Sequence, residues 1–533
     1  MAIMLQLLLC VAMTLAALFS ARRLTHIFQL ESYQFRGYFK SVARQWKRTI
    51  LPYAAVGAAM GAAGAAVCGT TAGGMRLPLI GGGLAVIAAA LLMLRLRRTD
   101  AGRKEKKRFA LTARMKRLYA CLGAVLLGAQ AALLFVAGLP AGAYGALLAL
   151  LPLLVAAAAV VALPIEKCIF LLYFHDAERK LLQNERLIRI GITGSYGKTS
   201  TKFILAEILS QKYHVLATPA SFNTPMGVTR IIRERLQPAH QVFIGEMGAR
   251  HVGEIRELCR LVHPTIGLLT AIGPQHLDTF KTIERIRDTK YELIDALPAD
   301  GLAVFQADGA LVSQCWQKTN KPKLLVGEVG SDAWAKDVQV GSYGSRFTLC
   351  LPGWEGIPCE TRLLGEHNIR NILMAAAVAK HLGLSREQIA RGVAALKPVE
   401  HRLQLLQSAG GVTVIDDAFN TNPTSSKRAL DVLSGFSGRR VIVTPGMVEL
   451  GAEEARFNEE FGRYMAGCVD VAVLVGRKHT APIAQGLRAA GFAPENIHVV
   501  SSLDEAIALN RTLLRAGDVV MYENDLPDHY SEG

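Results

Sequence analysis

Apolar residues are unevenly distributed along this 533-residue chain. In the first third, five apolar stretches approach or reach the roughly 20 residues that a helix needs to cross a bilayer. A shorter apolar run at 168–174, followed by a charged stretch, predicts an interfacial helix. The pattern therefore predicts an α-helical transmembrane bundle over residues 1–183, with five spans at 2–20, 50–70, 77–94, 118–138 and 142–163.

From residue 187 onward, short β-like runs such as HPTIGLLTAI and DVAVLVG alternate with amphipathic stretches. This alternation is typical of parallel sheets with helices on both faces. Several short β-like runs follow one another at 301–362 and predict an antiparallel segment, and LKPVEHR at 396–402 predicts a hinge. We therefore expect a parallel-sheet domain at 184–398, which the glycine-rich segment GITGSYGKTSTK at 191–202 marks as a P-loop ATPase domain, and a C-terminal Rossmann-like α/β domain at 399–533.

The net charge of +16 is confined to the N-terminal part. Residues 1–190 contain 24 Lys and Arg against 7 Asp and Glu, whereas the remainder contains 36 against 37. Basic segments between membrane spans stay in the cytoplasm. The sequence thus predicts a multi-pass membrane protein with its N-terminus outside and its α/β domains in the cytoplasm. The balanced C-terminal part argues against nucleic-acid binding.

The segment GITGSYGKTSTK, at 191–202, has a β-like start, a glycine-rich turn and a helical continuation. This is the context of a phosphate-binding loop, in which glycines such as Gly194 and Gly197 let backbone N–H groups approach phosphate oxygens. Lys198 would reach the β- and γ-phosphates, the Thr199 hydroxyl would bind Mg²⁺, and Ser200 belongs to the same nucleotide-binding turn. The spacing, G-x-T-G-x-x-G-K-[ST], differs from the standard loop. A glycine-rich turn with a surface lysine is the alternative.

This variant loop resembles that of the Mur ligase family, the ATP-dependent amide ligases of peptidoglycan synthesis. Further segments resemble the family in the same order: SFNTPMG (221–227), GEMGARHVGEI (245–255), AIGPQHLDTF (271–280), RDTKYELIDAL (287–297), LLGEHNIRNILMAAAVA (363–379), EHRLQ (400–404), VIDDAFNTNPTS (414–425) and GMVELG (446–451). The segments are most similar to those of members that add D-Ala-D-Ala to a muramoyl-tripeptide. The resemblance implies a ligase that activates a carboxylate as an acyl phosphate.

The resemblance also implies two Mg²⁺ sites, formed by Thr199, Glu246, His276 and a modified lysine. In the family, the lysine that matches Lys290 carries CO₂ as a carbamate, which requires a neutral amine and hence a lowered pKa. From the residues alone, Glu246 reads equally well as an ordinary acid at the end of a strand. Without the resemblance, His276 would be an ordinary loop histidine and Lys290 a surface lysine.

The remaining nucleotide contacts are expected from the second half of the chain. Asn368 and Asn371 lie at i, i+3 spacing near a helix start, where they suit hydrogen bonds to adenine, although Asn368 could instead cap the helix. Arg402 is a candidate phosphate ligand and Asp416 a candidate ribose ligand. Asn420 belongs to a turn that the family uses near the nucleotide.

Two departures from the family leave the substrates open. The family's N-terminal UDP-sugar domain is replaced by the predicted spans, so the muramoyl peptide donor could be a small molecule or lipid-linked. The chain end contains Glu523, Asp525 and Asp528 where the family is basic, and these acids could form a pocket for the ammonium of the amino-acid or dipeptide acceptor or an exposed tail. A Mur-type ligase acting on a non-muramoyl carboxylate and a non-catalytic, membrane-embedded ATP-binding scaffold are the alternative functions.

Overall fold

The computed structural model describes residues 2–58, 91, 109–135, 146–407, 410–419 and 421–526. The chain divides into two compact units, Met1–Leu171 and Leu172–Gly533.

The described part of the N-terminal unit is helical. Its apolar side chains pack against one another, with Leu24, Phe28, Tyr38, Leu122 and Val155 among the buried residues. The helices are α1 (Ala2–Ser20), α2 (Arg22–Leu30), α3 (Phe35–Arg44), α4 (Trp46–Thr49), α5 (Ala113–Phe135), α6 (Ala146–Ala149) and α7 (Leu151–Leu182), the last of which continues into the second unit.

The predicted multi-pass membrane arrangement is wrong. Within the described ranges, α7 is the single helix long and apolar enough to cross a membrane, and one such helix is weak evidence for a span. The predicted interfacial run at 168–174 is part of this same helix. Only part of each apolar stretch is buried: Met13 and Ala17 of α1 and Leu122 and Leu126 of α5 belong to the core of the unit, whereas Leu8 and Phe19 of α1 are exposed. The predicted spans at 50–70 and 77–94 lie largely outside the described residues.

The first α/β part of the second unit contains a six-stranded parallel sheet, as the alternating pattern predicts. The strand order is β2-β3-β1-β4-β5-β6. Because the chain moves outward from β1 first to one side and then to the other, the carboxyl end of β1 is a topological switch point, where α/β sheets bind ligands. The strands are β1 (Ile188–Thr193), β2 (Val215–Ala217), β3 (Val242–Glu246), β4 (Ile266–Leu269), β5 (Leu302–Gln306) and β6 (Lys323–Val326).

Helices cover both faces of this sheet. Ile190, Ile192, Val242 and Leu268 of the central strands are buried in its hydrophobic core. The helices are α8 (Lys198–Leu209), α9 (Pro225–Arg235), α10 (Glu254–Val262), α11 (Leu277–Phe280), α12 (Ile283–Asp295), α13 (Ala310–Lys318), α14 (Glu366–His381) and α15 (Arg386–Ala394).

An antiparallel sheet lies within the segment predicted to contain one. It consists of β7 (Trp334–Gly341), β8 (Gly344–Cys350) and β9 (Ile357–Thr361). The preceding strands β5 and β6 belong to the parallel sheet, so the antiparallel part is shorter than the predicted range 301–362.

A second six-stranded sheet forms the C-terminal part, in the order β10-β11-β15-β12-β13-β14. All its neighbours are parallel except β10 and β11. The strands are β10 (Gln404–Gln407), β11 (Thr413–Asp417), β12 (Arg440–Thr444), β13 (Val471–Val475), β14 (Ile497–Val500) and β15 (Val519–Glu523). The α-helices are α16 (Pro423–Ser434), α17 (Glu454–Met465), α18 (Ala481–Ala489) and α19 (Leu503–Leu513), with 3₁₀ turns at Gly451–Glu453 and Pro494–Asn496.

Candidate active site

The glycine-rich loop connects β1 to α8 at the switch point of the first sheet. Gly194 has φ +155°, and a Cβ there would lie 2.0 Å from Thr270 Oγ1. Gly197 has φ +81° and is the N-cap residue of α8, where a left-handed conformation favours glycine. The Ser195 hydroxyl donates to Gly273 O at 2.8 Å and fixes the loop to the segment after β4. The result is a rigid loop at a helix N-terminus, which is an anion-binding arrangement.

Lys198 lies over this loop. Its Nζ donates to Gly194 O at 2.5 Å and to Ser195 O at 3.4 Å. Burial lowers the pKa of Lys198 to about 8, with Arg402 lowering it further and Glu246 opposing the shift. Lys198 is thus partly buried and held by the loop, unlike a freely exposed lysine. A cation held by loop carbonyls is suited to exchange these contacts for phosphate oxygens.

Glu246, at the carboxyl end of β3, is the centre of a buried polar cluster. Its carboxylate accepts hydrogen bonds from Thr199 Oγ1 at 3.0 and 3.1 Å, from Lys202 Nζ at 2.9 Å and from Asn223 Nδ2 at 3.0 Å. Burial alone would raise the pKa of Glu246, but Lys202, Lys198 and these hydrogen bonds hold it below its usual value. Glu246 is therefore an anion whose charge is balanced by buried cations.

The donor set around Glu246 fits a magnesium ion. The Thr199 hydroxyl and the Glu246 carboxylate are both hard oxygen ligands and lie within 3.1 Å of each other. In the parts of the chain that the structure describes, no group of three or more His, Cys, Asp and Glu side chains could hold a metal. Mg²⁺ commonly takes one or two protein oxygens and completes its shell with water and phosphate, so the pair suffices when a nucleotide is bound.

Lys290, on α12, is buried with 2% of its surface exposed. Burial lowers the pKa of Lys290 well below its ordinary value, and the nearby Lys198 lowers it further. Among the described residues, none gives its amine a hydrogen bond or an ion pair. Because an isolated buried ammonium is costly, the neutral amine is favoured. This is the state that a lysine must adopt to react with CO₂.

His276 precedes α11 with a left-handed backbone, φ 51°. Its Nδ1 lies 2.5 Å from Glu449 Oε2, and Glu449 Oε1 accepts a hydrogen bond from Arg250 Nη2 at 2.8 Å. Burial lowers the pKa of His276, while Glu449 raises it and the charges of Arg250 and Lys290 lower it further. His276 and Lys290 therefore belong to the same electrostatic cluster.

Asn371, on α14, lies against the glycine-rich loop. A Cβ at Gly197 would lie 3.1 Å from Asn371 Oδ1, which also accepts a hydrogen bond from Thr201 Oγ1 at 3.2 Å. Asn371 Nδ2 donates to Asn368 Oδ1, and Asn368 Nδ2 donates to Leu364 O. The N-cap residue of α14 is Gly365, so Asn368 does not cap this helix. A cavity of about 450 Å³ opens beside the start of α14; its lining includes His367, Arg370, Arg428, Asp431 and Val432.

Arg402 lies near Lys198 and Glu246. Its charge lowers the pKa of Lys198, and the charge of Glu246 raises the pKa of Arg402. Burial lowers its own pKa, and its guanidinium lies 4.1 Å above the Phe419 ring. Asp416 accepts from the backbone of Ala418 and pairs with His401 at 2.8 Å. The candidate Asn420 lies outside the described residues.

The acidic chain end does not form an open pocket at Glu523. This residue is fully buried, and its carboxylate accepts hydrogen bonds from Ser426 Oγ at 2.7 Å and from Thr444 Oγ1 at 2.6 Å. Burial raises the pKa of Glu523, while the hydroxyl contacts oppose this. Glu523 thus connects β15 to α16 and is not available to an ammonium group. Asp528 lies outside the described residues.

Asp417→Asn is expected to stabilise the protein at alkaline pH. Burial raises the pKa of Asp417 to about 7, and Glu523, its register neighbour, raises it further while Arg402 opposes the shift. Between the unfolded pKa near 3.8 and about 7, the folded state therefore holds more protons than the unfolded state. The stability that protonated Asp417 contributes is fully present below the unfolded pKa and is lost as the pH rises through about 7.

Asparagine cannot ionise, yet its Oδ1 can still accept the hydrogen bond from Leu403 N. The advantage of Asp417→Asn over the wild type should shrink by about 2–3 kcal/mol between pH 8 and pH 5. Thermal unfolding at both pH values measures this, with the exposed Asp300→Asn as the control. An advantage independent of pH would contradict the prediction.

A salt-bridge cluster connects the two α/β parts. Asp308, after β5, accepts hydrogen bonds from Tyr196 Oη of the glycine-rich loop at 2.7 Å and from Arg428 Nη2 of α16 at 3.1 Å. Arg370 Nη1 approaches the same carboxylate at 3.4 Å. The C-terminal part is therefore attached directly to the phosphate-binding loop.

Several of these residues were not predicted from the sequence. Lys202 was detectable, because it lies four residues after Lys198 and so on the same face of the helix. Asn223 lies in a quoted segment but was not singled out. Arg250 and Glu449 likewise lie in quoted segments but were not singled out. Nothing local showed that Arg250 and Asp308 of the first α/β part pair with Glu449 and Arg428 of the second.

Comparison with known proteins identifies the family. Residues 192–379 match the Mur ligase middle domain, and residues 401–522 match the domain described as "Mur ligase, glutamate ligase domain". The UDP-N-acetylmuramoyl-tripeptide–D-alanyl-D-alanine ligase of Mycobacterium bovis is 36% identical over 357 residues, which cover 62% of this chain and 69% of the relative. The chain belongs to the Mur ligase family. Mur ligases use ATP and Mg²⁺, and this member is an ATP-dependent ligase that forms amide bonds.

Solved structures agree with the architecture of this Mur ligase. A crystal structure of MurF from Acinetobacter baumannii has a TM-score of 0.61 and 28% identity, covering 68% of this chain and 79% of that one. MurF from Thermotoga maritima in complex with ADP has the same TM-score at 26% identity, covering 68% and 82%. The α/β domains with parallel sheets predicted from the sequence are thereby confirmed.

Proposed function

We propose that this Mur ligase adds D-Ala-D-Ala to a UDP-muramoyl-tripeptide in peptidoglycan precursor synthesis. The observation that carries the proposal is the cluster of Lys198, Thr199, Glu246 and Lys290 around one phosphate-binding loop. The Mycobacterium bovis relative named above, with this substrate pair in its name, supports the choice of donor and acceptor. We assign the ATP-binding domain to residues 184–398 and the second ligase domain to 399–533.

ATP would lie across the glycine-rich loop. Gly194 and Gly197 leave room for the phosphates, and Lys198 and Arg402 supply positive charge to them. Ser200 belongs to the first turn of α8, whose N-terminus faces the phosphates. Asn368 and Asn371, whose amides already form hydrogen bonds, are our candidates for the adenine edge, and Asp416 is our candidate for the ribose. The predicted role of Asn420 remains part of this proposal.

Two metal positions follow from the same residues. Thr199 and Glu246 would bind the Mg²⁺ on the β- and γ-phosphates. His276 and Lys290 would bind the second, after the neutral amine of Lys290 takes up CO₂ and becomes a carbamate anion. The carbamate turns a side chain that repels Mg²⁺ into an oxygen ligand, and the buried amine that lacks a partner is the structural reason to expect it.

The proposed reaction has two steps. A donor carboxylate oxygen attacks the γ-phosphorus, the bond to the β-phosphate oxygen breaks, and ADP leaves behind an acyl phosphate. The neutral amine of the acceptor then attacks the acyl carbon, the C–O bond to the phosphate breaks and the amide bond forms. Inorganic phosphate leaves with the electron pair of the broken C–O bond, and the amine nitrogen loses one proton to solvent. Lys198 and Arg402 counter the charge that develops on the phosphoryl oxygens in the first step.

Product mass tests the proposal directly. The full chain is incubated with ATP, Mg²⁺, bicarbonate, UDP-muramoyl-tripeptide and D-Ala-D-Ala. We expect the UDP-muramoyl-pentapeptide by mass spectrometry, together with ADP and phosphate in equal amounts. D-Ala-D-Ala alone and tripeptide alone are the controls and should give no amide product. Absence of the pentapeptide from protein that binds ATP would contradict the substrate assignment.

A further inference from the structure

We propose that Glu449 is a positioning residue that holds His276 for metal binding only when the C-terminal domain is closed on the ATP-binding domain. The inference rests on the proposed function, which makes His276 a metal ligand. Glu449 follows β12 in the C-terminal domain, whereas His276 follows β4 in the ATP-binding domain. The Glu449 carboxylate would therefore couple the position of the C-terminal domain to metal binding at His276.

The hydrogen-bond geometry defines which nitrogen of His276 is available. Glu449 Oε2 lies 2.5 Å from His276 Nδ1, and a carboxylate can only accept a hydrogen bond. The hydrogen of the neutral imidazole is therefore on Nδ1, and the lone pair for a metal is on Nε2. Carboxylates in this position orient metal-binding histidines and increase their basicity.

Glu449 is itself held firmly in place. Its other oxygen accepts from Arg250 Nη2 at 2.8 Å, and its backbone carbonyl accepts from Asp278 N at 3.3 Å. His276 and Glu449 both adopt left-handed backbone conformations, with φ 51° and 65°. Such conformations in residues other than glycine persist only where surrounding contacts enforce them, and they are common at functional sites. Here the two left-handed residues, His276 and Glu449, contact each other from opposite domains.

A purely structural role explains these contacts less well. Asp308 and Arg428 already connect the two domains elsewhere, so closure does not depend on Glu449 alone. Glu449 has 6% of its surface exposed, and an apolar residue would fill such a position without the cost of burying a charge. Its carboxylate instead binds a histidine and an arginine from the opposite domain. This arrangement makes sense if the orientation of His276 matters.

Mn²⁺ binding tests the inference without turnover. The full chain is saturated with the non-hydrolysable analogue AMP-PCP in the presence of bicarbonate and titrated with Mn²⁺, while free Mn²⁺ is followed by electron paramagnetic resonance. In the wild type we expect a Mn²⁺ site that His276→Ala removes. Glu449→Ala should weaken that site by about 10- to 100-fold. Glu449→Gln, which keeps an oxygen acceptor for Nδ1–H, should weaken it by less than about tenfold.

Two further variants separate positioning from general damage. Arg428→Met loosens the other contact between the domains without touching His276, so it should also weaken the His276-dependent site. Glu453→Ala removes an exposed acid on the neighbouring 3₁₀ turn and should leave Mn²⁺ binding unchanged. If Glu449→Ala does not fold, Arg428→Met decides the matter, because it should weaken the His276-dependent site while Glu449 is intact; unchanged Mn²⁺ binding in Arg428→Met would then overturn the inference.

The outcomes distinguish the inference from the function on which it rests. If Glu449→Ala and Glu449→Gln bind Mn²⁺ at the His276-dependent site as tightly as the wild type, Glu449 does not position His276 and the inference is overturned. If the wild type has no site that depends on His276, the second metal position of the proposed function fails as well.

Discussion

Lys198→Ala is expected to lower ATP turnover by about a thousandfold, with little change in folding. Lys198 is the partly buried cation of the glycine-rich loop, and its Nζ is held by loop carbonyls in the position where phosphate oxygens would replace them. Loss of one preorganised charge or donor at a reacting centre commonly costs about 10²–10³ in rate. Phosphoryl transfer relies mainly on such positioning and charge, so we expect the rate loss for Lys198→Ala to lie at the upper end of this range.

Release of ADP with both substrates present measures the effect. Lys212→Ala is the matched control: this exposed lysine lies just beyond the other end of the same helix and donates to the carbonyls of Leu382 and Gly383. We expect Lys212→Ala to keep its activity. If Lys198→Ala retained more than about a tenth of wild-type turnover, phosphate binding by this loop would need another cation.

Local patterns predicted the parts of the site that one chain segment builds. The glycine-rich turn between β1 and α8 could be recognised because strand, turn and helix are adjacent in sequence. Glu246 could be placed because apolar residues run up to it, and an acid at the end of a parallel strand faces the ligand edge. In both cases the residues that define the structure are neighbours along the chain.

Contacts between distant segments could not be predicted in this way. Glu449 and His276 are 173 residues apart, and nothing in either segment shows that the two meet. The burial of Lys290 could also not be predicted, because charged residues precede and follow it in the sequence of its helix. The prediction of membrane spans was wrong for a related reason: apolar length does not reveal whether a helix faces lipid or another helix, and Leu122 and Leu126, in the predicted span 118–138, are buried in the helical core.

Lys290→Met is expected to abolish most of the activity and at the same time stabilise the metal-free protein. The amine is buried and lacks a partner among the described residues, so an apolar side chain of similar length should pack there more favourably. We expect a rise in Tm of about 2–4 °C, corresponding to about 1 kcal/mol for a domain the size of residues 184–398. Loss of the proposed metal ligand should reduce turnover by about 10²–10³.

The pH dependence of this stabilisation has a defined sign. Because burial lowers the pKa of Lys290 in the folded state, the unfolded state binds more protons between the folded pKa and the ordinary value of 10.5. Wild-type stability therefore rises with pH through this window, whereas Lys290→Met lacks that contribution. The Tm advantage of the variant should consequently be largest below the window and should shrink as the pH approaches 10.

Carbamylation adds a second signature that a simple packing effect lacks. Bicarbonate together with Mg²⁺ and AMP-PCP should raise the Tm of the wild type further than Mg²⁺ and AMP-PCP alone, since the carbamate would bind the metal in the folded state only. Lys290→Met should show no bicarbonate effect, and the exposed Lys336→Met should behave as the wild type. If bicarbonate raised the Tm of Lys290→Met as much as that of the wild type, CO₂ would act elsewhere, and Lys290 would be a buried amine without a role in metal binding.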